Sequence, residues 1–425
     1  MSGMVHYAGR LLAAALIGGV LCGAGARAQQ DPLAGQDRDG AAVRKLSDRN
    51  MRRLQFDQES FEQGVNARWE RYLGMKKEIA DATGLQYTMN ASMVSQWGVP
   101  GGGYGAVQAE FTPAIDWDVF DNPTFGAGSF QFSFLSVDYW SGATGDSVAS
   151  AIGVNGPIND KPLRTNIFSQ LTYTHESPND RVALTVGQYS FANFDSNQYA
   201  DDQQMSFIAN GMTGNISETY SQGALGAYLH VYPGRHITLA AGFQDANNPS
   251  GSFVQFNTLG NGAYAWFLYA GQNPTIPGLG KGHYSFLYYN VPAVPTQPQP
   301  SVGYSFNAAQ HLTDRLGVFL RANTASGNAV NVSSSVSGGA VLENPLGRDP
   351  SDRIGIALAW NEVNRSFFSN TAFTRPSETM LEFYWSWGLL RRFVITPDIQ
   401  VYLQPALSPA DYVAAVFTLR VTQLF

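Results

Sequence analysis

The strongest constraint on the fold is the alternation of apolar and polar residues at the end of the chain, from Tyr412 to Phe425. Five apolar residues share one side of a period of two, and three polar residues share the other. They are Val413, Ala415, Phe417, Leu419 and Val421 on the apolar side, and Thr418, Arg420 and Thr422 on the polar side. Successive side chains of a β-strand point to opposite faces, so this pattern predicts a strand with one apolar face and one polar face. Both a half-buried soluble strand and the closing strand of a membrane barrel fit this pattern.

The N-terminus has the features of a secretory signal peptide over residues 1–28. Arg10 precedes an apolar run from Leu11 to about Leu21, and Ala26-Arg27-Ala28 supplies a cleavage site of the A-x-A type. The run is too short to cross a bilayer as a helix. Cys22, which leaves with this leader, is the only cysteine. We therefore expect a mature chain without a disulfide or a thiolate site; lipidation at Cys22 is the alternative.

Composition favours an outer-membrane barrel over a soluble enzyme or a nucleic-acid-binding protein. Removing Arg10 and Arg27 takes the net charge from -7 to -9, which argues against a nucleic-acid partner. Aromatic residues make up 13% and charged residues only 14%, with 44 glycines. No apolar stretch reaches the ~18 residues of a membrane helix. An exported chain of this kind, ending in an aromatic residue, is expected in the bacterial outer membrane with lipid as a partner.

The segment from Asp31 to Asp81 differs from the rest of the chain, because 20 of its 51 residues are charged. Apolar residues recur at helical spacing inside Lys45 to Ala80, which predicts that part of this segment is an amphipathic helix. The recurring residues are Phe61, Val65, Trp69 and Tyr72. Two interpretations stay open for 29–83: a polar periplasmic extension that packs on the barrel mouth, or a plug or partner-binding arm.

From Gly84 the period changes from helical to two, and residues 84–425 predict an all-β fold. The predicted strands start near Leu85, Gly105, Ser129, Ile167, Arg181, Ala224, His236, Gly262, Gly282, Val302, Arg315, Asn331, Asp352, Glu378, Phe393 and Asp411. We interpret them as a transmembrane antiparallel β-barrel of about sixteen strands, with a short N-terminal helical segment. The long polar stretches Ser141–Arg164, Phe191–Ser221 and Arg365–Ser377 are expected as outside loops. The alternative, a propeller, lacks its repeat of about 40–50 residues.

Three stretches of the chain resemble the carbohydrate-selective porin family (OprB-like porins). They are Ala114–Phe134, Ile167–Asn197 with Leu184-Thr-Val-Gly-Gln-Tyr inside it, and Glu382-Phe-Tyr-Trp-Ser-Trp through Ile395–Pro405. With the intervening segments, the likeness covers Leu85 to Phe425. The resemblance implies a barrel of about sixteen strands that passes sugars by diffusion.

Five polar residues lie on strands whose neighbours are apolar, and they are the predicted transport pathway. They are Glu110, Arg321, Glu382, Asp398 and Gln400. A charge facing lipid at mid-membrane costs ~2–4 kcal/mol, so these side chains should point into the lumen. There they would either contact solute or only pair across the wall, and Arg321 with Glu382 is our candidate constriction. Trp117 and Trp140 would either stack on sugar rings or form part of the membrane-interface girdle.

These patterns predict a porin that passes mono- or oligosaccharides through a water-filled barrel, as a monomer or homotrimer. The alternatives are a general or non-sugar porin, a polysaccharide-export barrel and an outer-membrane hydrolase. Against the hydrolase, the sequence has neither G-x-S-x-G nor H-E-x-x-H, and its histidines have no nucleophile motif beside them. We therefore expect no catalytic residue, no metal site and no cofactor.

Overall fold

The computed structural model describes residues 67–101, 105–234, 236–368, 375–390, 393–408 and 410–425. The predicted signal peptide, 1–28, and residues 29–66 of the charged segment lie outside the described residues. Within the described part of the chain, no helix is both long and apolar enough to span a membrane.

The described chain forms one antiparallel sheet that closes on itself. Its strands are β1 (Leu85–Val99), β2 (Gly105–Asn122), β3 (Gly126–Tyr139), β4 (Thr165–Glu176), β5 (Val182–Tyr189), β6 (Ala224–Gly234), β7 (Ile237–Asp245), β8 (Tyr264–Gln272), β9 (Thr275–Ile276), β10 (Gly280–Val291), β11 (Ser301–His311), β12 (Leu316–Ala325), β13 (Val332–Glu343), β14 (Arg353–Val363), β15 (Ser377–Leu390), β16 (Phe393–Leu403) and β17 (Val413–Leu424). Each long strand pairs with its neighbours in the chain, and β17 pairs with β1 to close the barrel. The two-residue β9 pairs only with the start of β10. The remaining sixteen strands form the wall, and closure leaves the wall without an unpaired edge.

The predicted all-β barrel of sixteen strands is confirmed, and every predicted start lies within three residues of an observed strand start. Only the short β9 had no counterpart in the prediction. The predicted and observed strands agree because the alternation of side chains along a strand is a local property of the sequence.

In strand β17 the alternation places apolar side chains on the outer face of the barrel and polar side chains on the inner face. Phe417 and Leu419 are 49% and 40% exposed on the outer face, whereas Arg420 is 1% exposed on the inner face. Trp266, Leu358 and other large apolar residues of the remaining strands are exposed in the same way. The barrel therefore has an apolar outer wall and a polar interior, as a membrane barrel requires.

The connections between strands differ at the two ends of the barrel. At the end that holds Leu85 and Leu424, which we call the turn end, the connections include 123–125, 177–181 and 312–315. At the opposite end, the loop end, they include 140–164, 190–223 and 246–263. The predicted long stretch Arg365–Ser377 also connects strands at the loop end, and its residues 369–374 lie outside the described residues.

Helix α1 (Ala67–Thr83) lies against the outer rim of the turn end. The Lys76 ammonium lies 5.0 Å from the ring centre of Tyr87, a residue of β1 on the outward-facing parity. The indole Nε1 of Trp117 donates to the Thr83 carbonyl at 3.0 Å. The predicted N-terminal helix is therefore present, and its described part contacts the rim from outside the barrel.

Two loop-end connections turn inward and fill much of the lumen. We call 140–164, which contains α2 (Gly145–Ala151), the first inner loop, and 190–223, which contains α3 (Asn210–Thr213), the second inner loop. Phe207, Ile208 and Ala209 of the second loop are 0% exposed. The expectation that both segments are outside loops is therefore wrong. Their burial depends on hydrogen bonds to the distant wall, which composition alone does not reveal.

Candidate pore and its inner loops

The second inner loop is held by the predicted pathway residue Arg321 of β12, which is 0% exposed. Its Nη1 donates to the Met212 carbonyl at 3.0 Å and its Nη2 donates to the Asp195 carbonyl at 3.2 Å. Its Nε donates to Asn307 Oδ1 on the neighbouring strand at 2.8 Å. The planar fork of a guanidinium can hold several oxygens at fixed angles. Arg321 thus joins both ends of the segment 195–212 to one wall.

Glu382 of β15, also 0% exposed, holds the same segment from another side. Its Oε1 accepts the Ile208 amide at 2.5 Å, and its Oε2 accepts the Ala209 amide at 3.2 Å. These amides precede α3, and a carboxylate that accepts backbone N–H groups makes strong, charge-assisted hydrogen bonds. Arg321 and Glu382 therefore meet on one short segment, 208–212, and reach it from different parts of the wall.

Arg420 on β17 supplies a third anchor of the second inner loop. Its Nη1 donates to the carbonyls of Gln203 and Ser206, the latter at 2.6 Å. The neighbouring Thr422 hydroxyl donates to the Gln204 carbonyl at 2.8 Å. The loop leaves the wall between β5 and β6, so contacts to β12, β15 and β17 show that it crosses the lumen.

Gln400 of β16, 0% exposed, holds the first inner loop. Its Nε2 donates to the Ile158 carbonyl at 2.9 Å, and Gln96 of β1 donates to the same carbonyl at 3.0 Å. Glu378 of β15 accepts the Asn155 amide at 3.0 Å. Both inner loops are therefore held in part through their backbone by buried polar groups of the wall.

The two remaining predicted pathway residues also point inward. Glu110 of β2 is 6% exposed, and its Oε2 accepts a hydrogen bond from Gln203 Nε2 of the second inner loop. Asp398 of β16 is 6% exposed and lies opposite Tyr384 and Thr418 in the strand register. All five residues thus lie on the lumen side of the wall. Four of them contact an inner loop directly, and a role in solute contact stays a prediction.

The two tryptophans proposed for stacking lie on the outer face of the barrel. Trp117 is 42% exposed, and its ring lies 6.2 Å from that of Phe130, which is also outward-facing. Trp140 follows the inward-facing Tyr139 at the end of β3 and is 43% exposed. Neither ring faces the lumen, so stacking on a solute in the pore does not fit their position. Their placement near strand ends fits the membrane-interface girdle.

An aromatic cluster fills one side of the lumen at the start of the second inner loop. Phe194 packs on Phe267 of β8 with 4.3 Å between ring centres, and Tyr220 packs on Tyr289 of β10 at 4.9 Å. The cluster also contains Tyr189, Phe191 and Tyr228. Close-packed rings leave little room for solute within the cluster, so a solute passes only along its surface, where Tyr220 and Val291 border a cavity.

Two adjacent cavities follow the second inner loop. The inner cavity, about 170 Å³, is bounded by strands β2 to β4 and the loop, with Thr112 and Gln170 in its wall. The outer cavity, about 410 Å³, faces the loop end and is bounded partly by the connections after β7, β10 and β12. Five residues line both cavities and define the junction: Asn210, Asn215, Glu218, Tyr220 and Gln222.

The residues that line these cavities were largely missed by reasoning from strand parity. Apart from Glu110, the charged lining residues lie on the inner loops, and they are Asp160, Lys161, Asp195, Asp202 and Glu218. The available signal was the length and polarity of 190–223, which suggested a loop but not its inward course. Within the described residues, no group of three or more His, Cys, Asp or Glu side chains is arranged to hold a metal ion.

Comparison with solved structures agrees with this architecture. The chain is similar to the high-pH structure of Pseudomonas putida OprB, with a TM-score of 0.68 and 14% identity over 83% of this chain and 97% of that one. It is also similar to Salmonella typhi OmpF in a complex with daunomycin, with a TM-score of 0.53 and 11% identity over 80% of this chain and 97% of that one. At these identities the likeness concerns the fold.

Comparison of sequences shows the family as well as the fold. Porin AaxA of Chlamydia pneumoniae is 36% identical over 350 residues, covering 80% of each chain. Porin AaxA of Chlamydia trachomatis serovar D is 37% identical over 371 residues, covering 81% of this chain and 79% of the relative. The family model described as "Carbohydrate-selective porin, OprB family" matches residues 127–291 and 288–425. The chain therefore belongs to the OprB family of porins and is a β-barrel channel of the bacterial outer membrane.

Proposed function

We propose that this porin lets mono- or oligosaccharides diffuse passively through the two cavities beside the second inner loop. The observation that carries this proposal is the lining of the inner cavity, which is rich in amides and hydroxyls. They belong to Thr112, Ser133, Ser169, Gln170, Ser190, Asn193, Ser196, Asn210, Thr213, Asn215 and Gln222. Such groups exchange hydrogen bonds with sugar hydroxyls as those leave water. Many weak partners favour passage over retention, which diffusion requires.

Phe134 and Tyr220 line the inner cavity, and of these two Tyr220 also lines the outer cavity, with 4% of its surface exposed. Its hydroxyl donates to Asp195 Oδ2 at 3.4 Å, which helps to fix the ring. This residue replaces Trp117 and Trp140 as our candidate for stacking.

The five predicted pathway residues keep a role in this proposal as supports of the passage. Arg321, Glu382 and Gln400 hold the inner loops through backbone atoms. They would therefore set the width of the passage by placing the loops, and Glu110 would also contact solute, because it lines the inner cavity.

The remaining alternatives within the transport class are a general or non-sugar porin and a polysaccharide-export barrel. The relatives named Porin AaxA carry no solute in their names, so a non-sugar solute stays open to test. Two cavities of about 170 and 410 Å³, separated by a junction, fit small solutes better than a polymer threaded through the barrel. The monomer and the homotrimer both stay predictions, as does the assignment of 29–83 to the periplasmic side.

Liposome swelling and single-channel recording test the sugar assignment. We expect proteoliposomes to swell in glucose and more slowly in larger oligosaccharides, and sugars to reduce the ion current through single pores. Pores that conduct ions but neither pass nor respond to any sugar would remove the carbohydrate assignment and leave a general porin. A form lacking Asp31–Asp81, measured in parallel, tests whether this segment obstructs the channel, since a plug would raise conductance when removed.

A further inference from the structure

Glu218 at the junction of the two cavities and Lys161 beside it in the inner cavity carry opposite charges that are not in direct contact. Glu218 lies on the second inner loop and lines both cavities. Gln222 Nε2 donates to Glu218 Oε1, and Lys161 Nζ of the first inner loop donates to Gln222 Oε1 at 2.9 Å. The amide of Gln222 therefore separates the two charges, and within the described residues Glu218 and Lys161 form no ion pair with each other. Each charge thus still acts on a solute that passes beside it.

The other charged side chains around the inner cavity are negative. They reinforce the charge of Glu218 and outweigh the single positive charge of Lys161. Asp195 lines the same cavity, and both its oxygens accept hydrogen bonds from neutral groups: Oδ1 from Ser305 and Asn307, at 2.5 and 2.6 Å, and Oδ2 from Asn215 at 2.8 Å. Neutral donors stabilise a carboxylate but leave its net charge in place. Including Glu110, Asp160 and Asp202, five carboxylates and one ammonium line the inner cavity.

The charged residues behind the second inner loop do not reverse the negative net charge of the cavity lining. Arg321 and Arg420 are 0% and 1% exposed and do not line either cavity. The same wall holds Glu378, Glu382 and Asp398, so these two buried cations are accompanied by three buried acidic residues. A solute in the passage therefore experiences mainly the lining charges, which are closer and predominantly negative.

We propose that Glu218 and Lys161 set the charge preference of this pore at the junction of its two cavities, with the carboxylates dominating. The pore then passes cations, and sugar-sized solutes with a positive charge, faster than their anionic counterparts. Acidic side chains at a constriction select cations because they replace part of the favourable interaction that the ion loses with water. This inference rests on the proposed passage through these cavities, and its test separates it from the sugar assignment.

The first measurement is the reversal potential of the pore in a KCl gradient. We expect K⁺ to be more permeant than Cl⁻ in the native protein. Glu218→Gln should lower the permeability ratio roughly four- to sixteenfold, since a unit charge about 5 Å from an ion in water changes the occupancy of a cation and of an anion in opposite directions, each by about two- to fourfold. Lys161→Gln should raise the ratio instead. Glu362→Gln, at an exposed carboxylate of β14 whose Oε2 accepts from Ser333, is the matched control and should leave the ratio unchanged.

The second measurement compares liposome swelling in glucose, glucosamine and glucuronate, at a pH where the last two are charged. These sugars have similar ring sizes and differ in charge. We expect glucosamine to enter faster than glucuronate, and Glu218→Gln to narrow the difference. Heat-modifiable migration on gels identifies variants that have assembled a barrel, and Lys161→Gln still tests the proposal if Glu218→Gln does not assemble.

Two outcomes would overturn the proposal: a native pore that prefers Cl⁻ or neither ion, or a ratio that responds equally to Glu218→Gln and Glu362→Gln. Failure of all three sugars to enter, with the K⁺ preference and its loss in Glu218→Gln intact, would instead overturn the carbohydrate assignment and retain the charge preference.

Discussion

Removing the Arg321 guanidinium should loosen the second inner loop without unfolding the barrel. Arg321→Met keeps most of the aliphatic stem and deletes the groups that donate to the carbonyls of Met212 and Asp195. The sixteen-stranded wall does not depend on these bonds, because its backbone pairing is complete without them. We therefore expect assembly to be retained and the segment 195–212 to open more often.

The expected size follows from the two bonds that join the loop to the wall. A hydrogen bond to a charged group contributes about 1.5–3 kcal/mol net, so the pair contributes about 3–6 kcal/mol. Glu382 and Arg420 continue to hold the loop, and water can enter the vacated site, so the lower figure applies. A change of about 3 kcal/mol corresponds to roughly a hundredfold increase in the population of the open loop.

Amide hydrogen exchange, read by mass spectrometry in detergent micelles, measures this opening directly. Peptides that cover 195–213 should exchange roughly a hundredfold faster in Arg321→Met, if the opening free energy falls as calculated, while peptides from β12 should not change. Single-channel current should become noisier as the loop fluctuates. Arg315→Met is the matched control, because Arg315 is exposed at the turn end and its Nη1 only approaches the Asn344 carbonyl at 3.4 Å. Exchange within about twofold of the native rate across 195–213, in a correctly assembled variant, would refute the assignment of Arg321 as an anchor.

Three further predictions concern other parts of the channel. Glu382→Gln should speed exchange of amides 206–211 by about tenfold to a hundredfold, because one charge-assisted bond of about 1.5–3 kcal/mol is lost; equal exchange in this variant and in Glu362→Gln would contradict it. Leu419→Arg, near the middle of the outward face of β17, should lower the free energy of unfolding by about 2–4 kcal/mol in denaturant titrations, whereas Tyr412→Arg at the rim should cost about 0–1 kcal/mol. Burial raises the pKa of Glu218, with nearby Lys161 opposing the shift and Asp195 adding to it, so Glu218 loses its charge at a higher pH than an ordinary glutamate. Cation preference should therefore decline as the pH falls through that raised pKa, and reversal potentials of Glu218→Gln should lack this step.

The wall of the barrel could be predicted from the sequence because each strand carries its own signal. Alternation in Val413–Val421 identifies the outward face of β17 without reference to any other segment. The inward direction of Arg321 and Glu382 follows from the same local parity and from the cost of a charge in lipid. Strand position, strand orientation and the polarity of the lumen are thus local properties.

The course of the inner loops could not be predicted in this way, because it is fixed by contacts between distant residues. Arg321 donates to a carbonyl 109 positions away, and Gln400 donates to one 242 positions away. A loop rich in Asn, Gln and Ser has the same composition whether it is solvated outside or hydrogen-bonded inside. Only the matching of wall donors with loop carbonyls distinguishes the two arrangements, and no local pattern reports that matching.

The same contrast between local alternation and distant contacts explains why the alternation along the strands identified the anchor residues but missed most residues that line the cavities. Arg321 and Arg420 donate to backbone carbonyls of the second inner loop, and Glu382 accepts backbone amides. Backbone groups are the same for nearly every residue type, so these anchors fix the path of the loop and leave many of its side chains to face the passage. Glu218 can then be replaced without disturbing the anchors that Arg321, Arg420 and Glu382 provide. In this channel the wall residues should therefore control whether the passage keeps its shape, and the loop side chains should control which solutes pass through it.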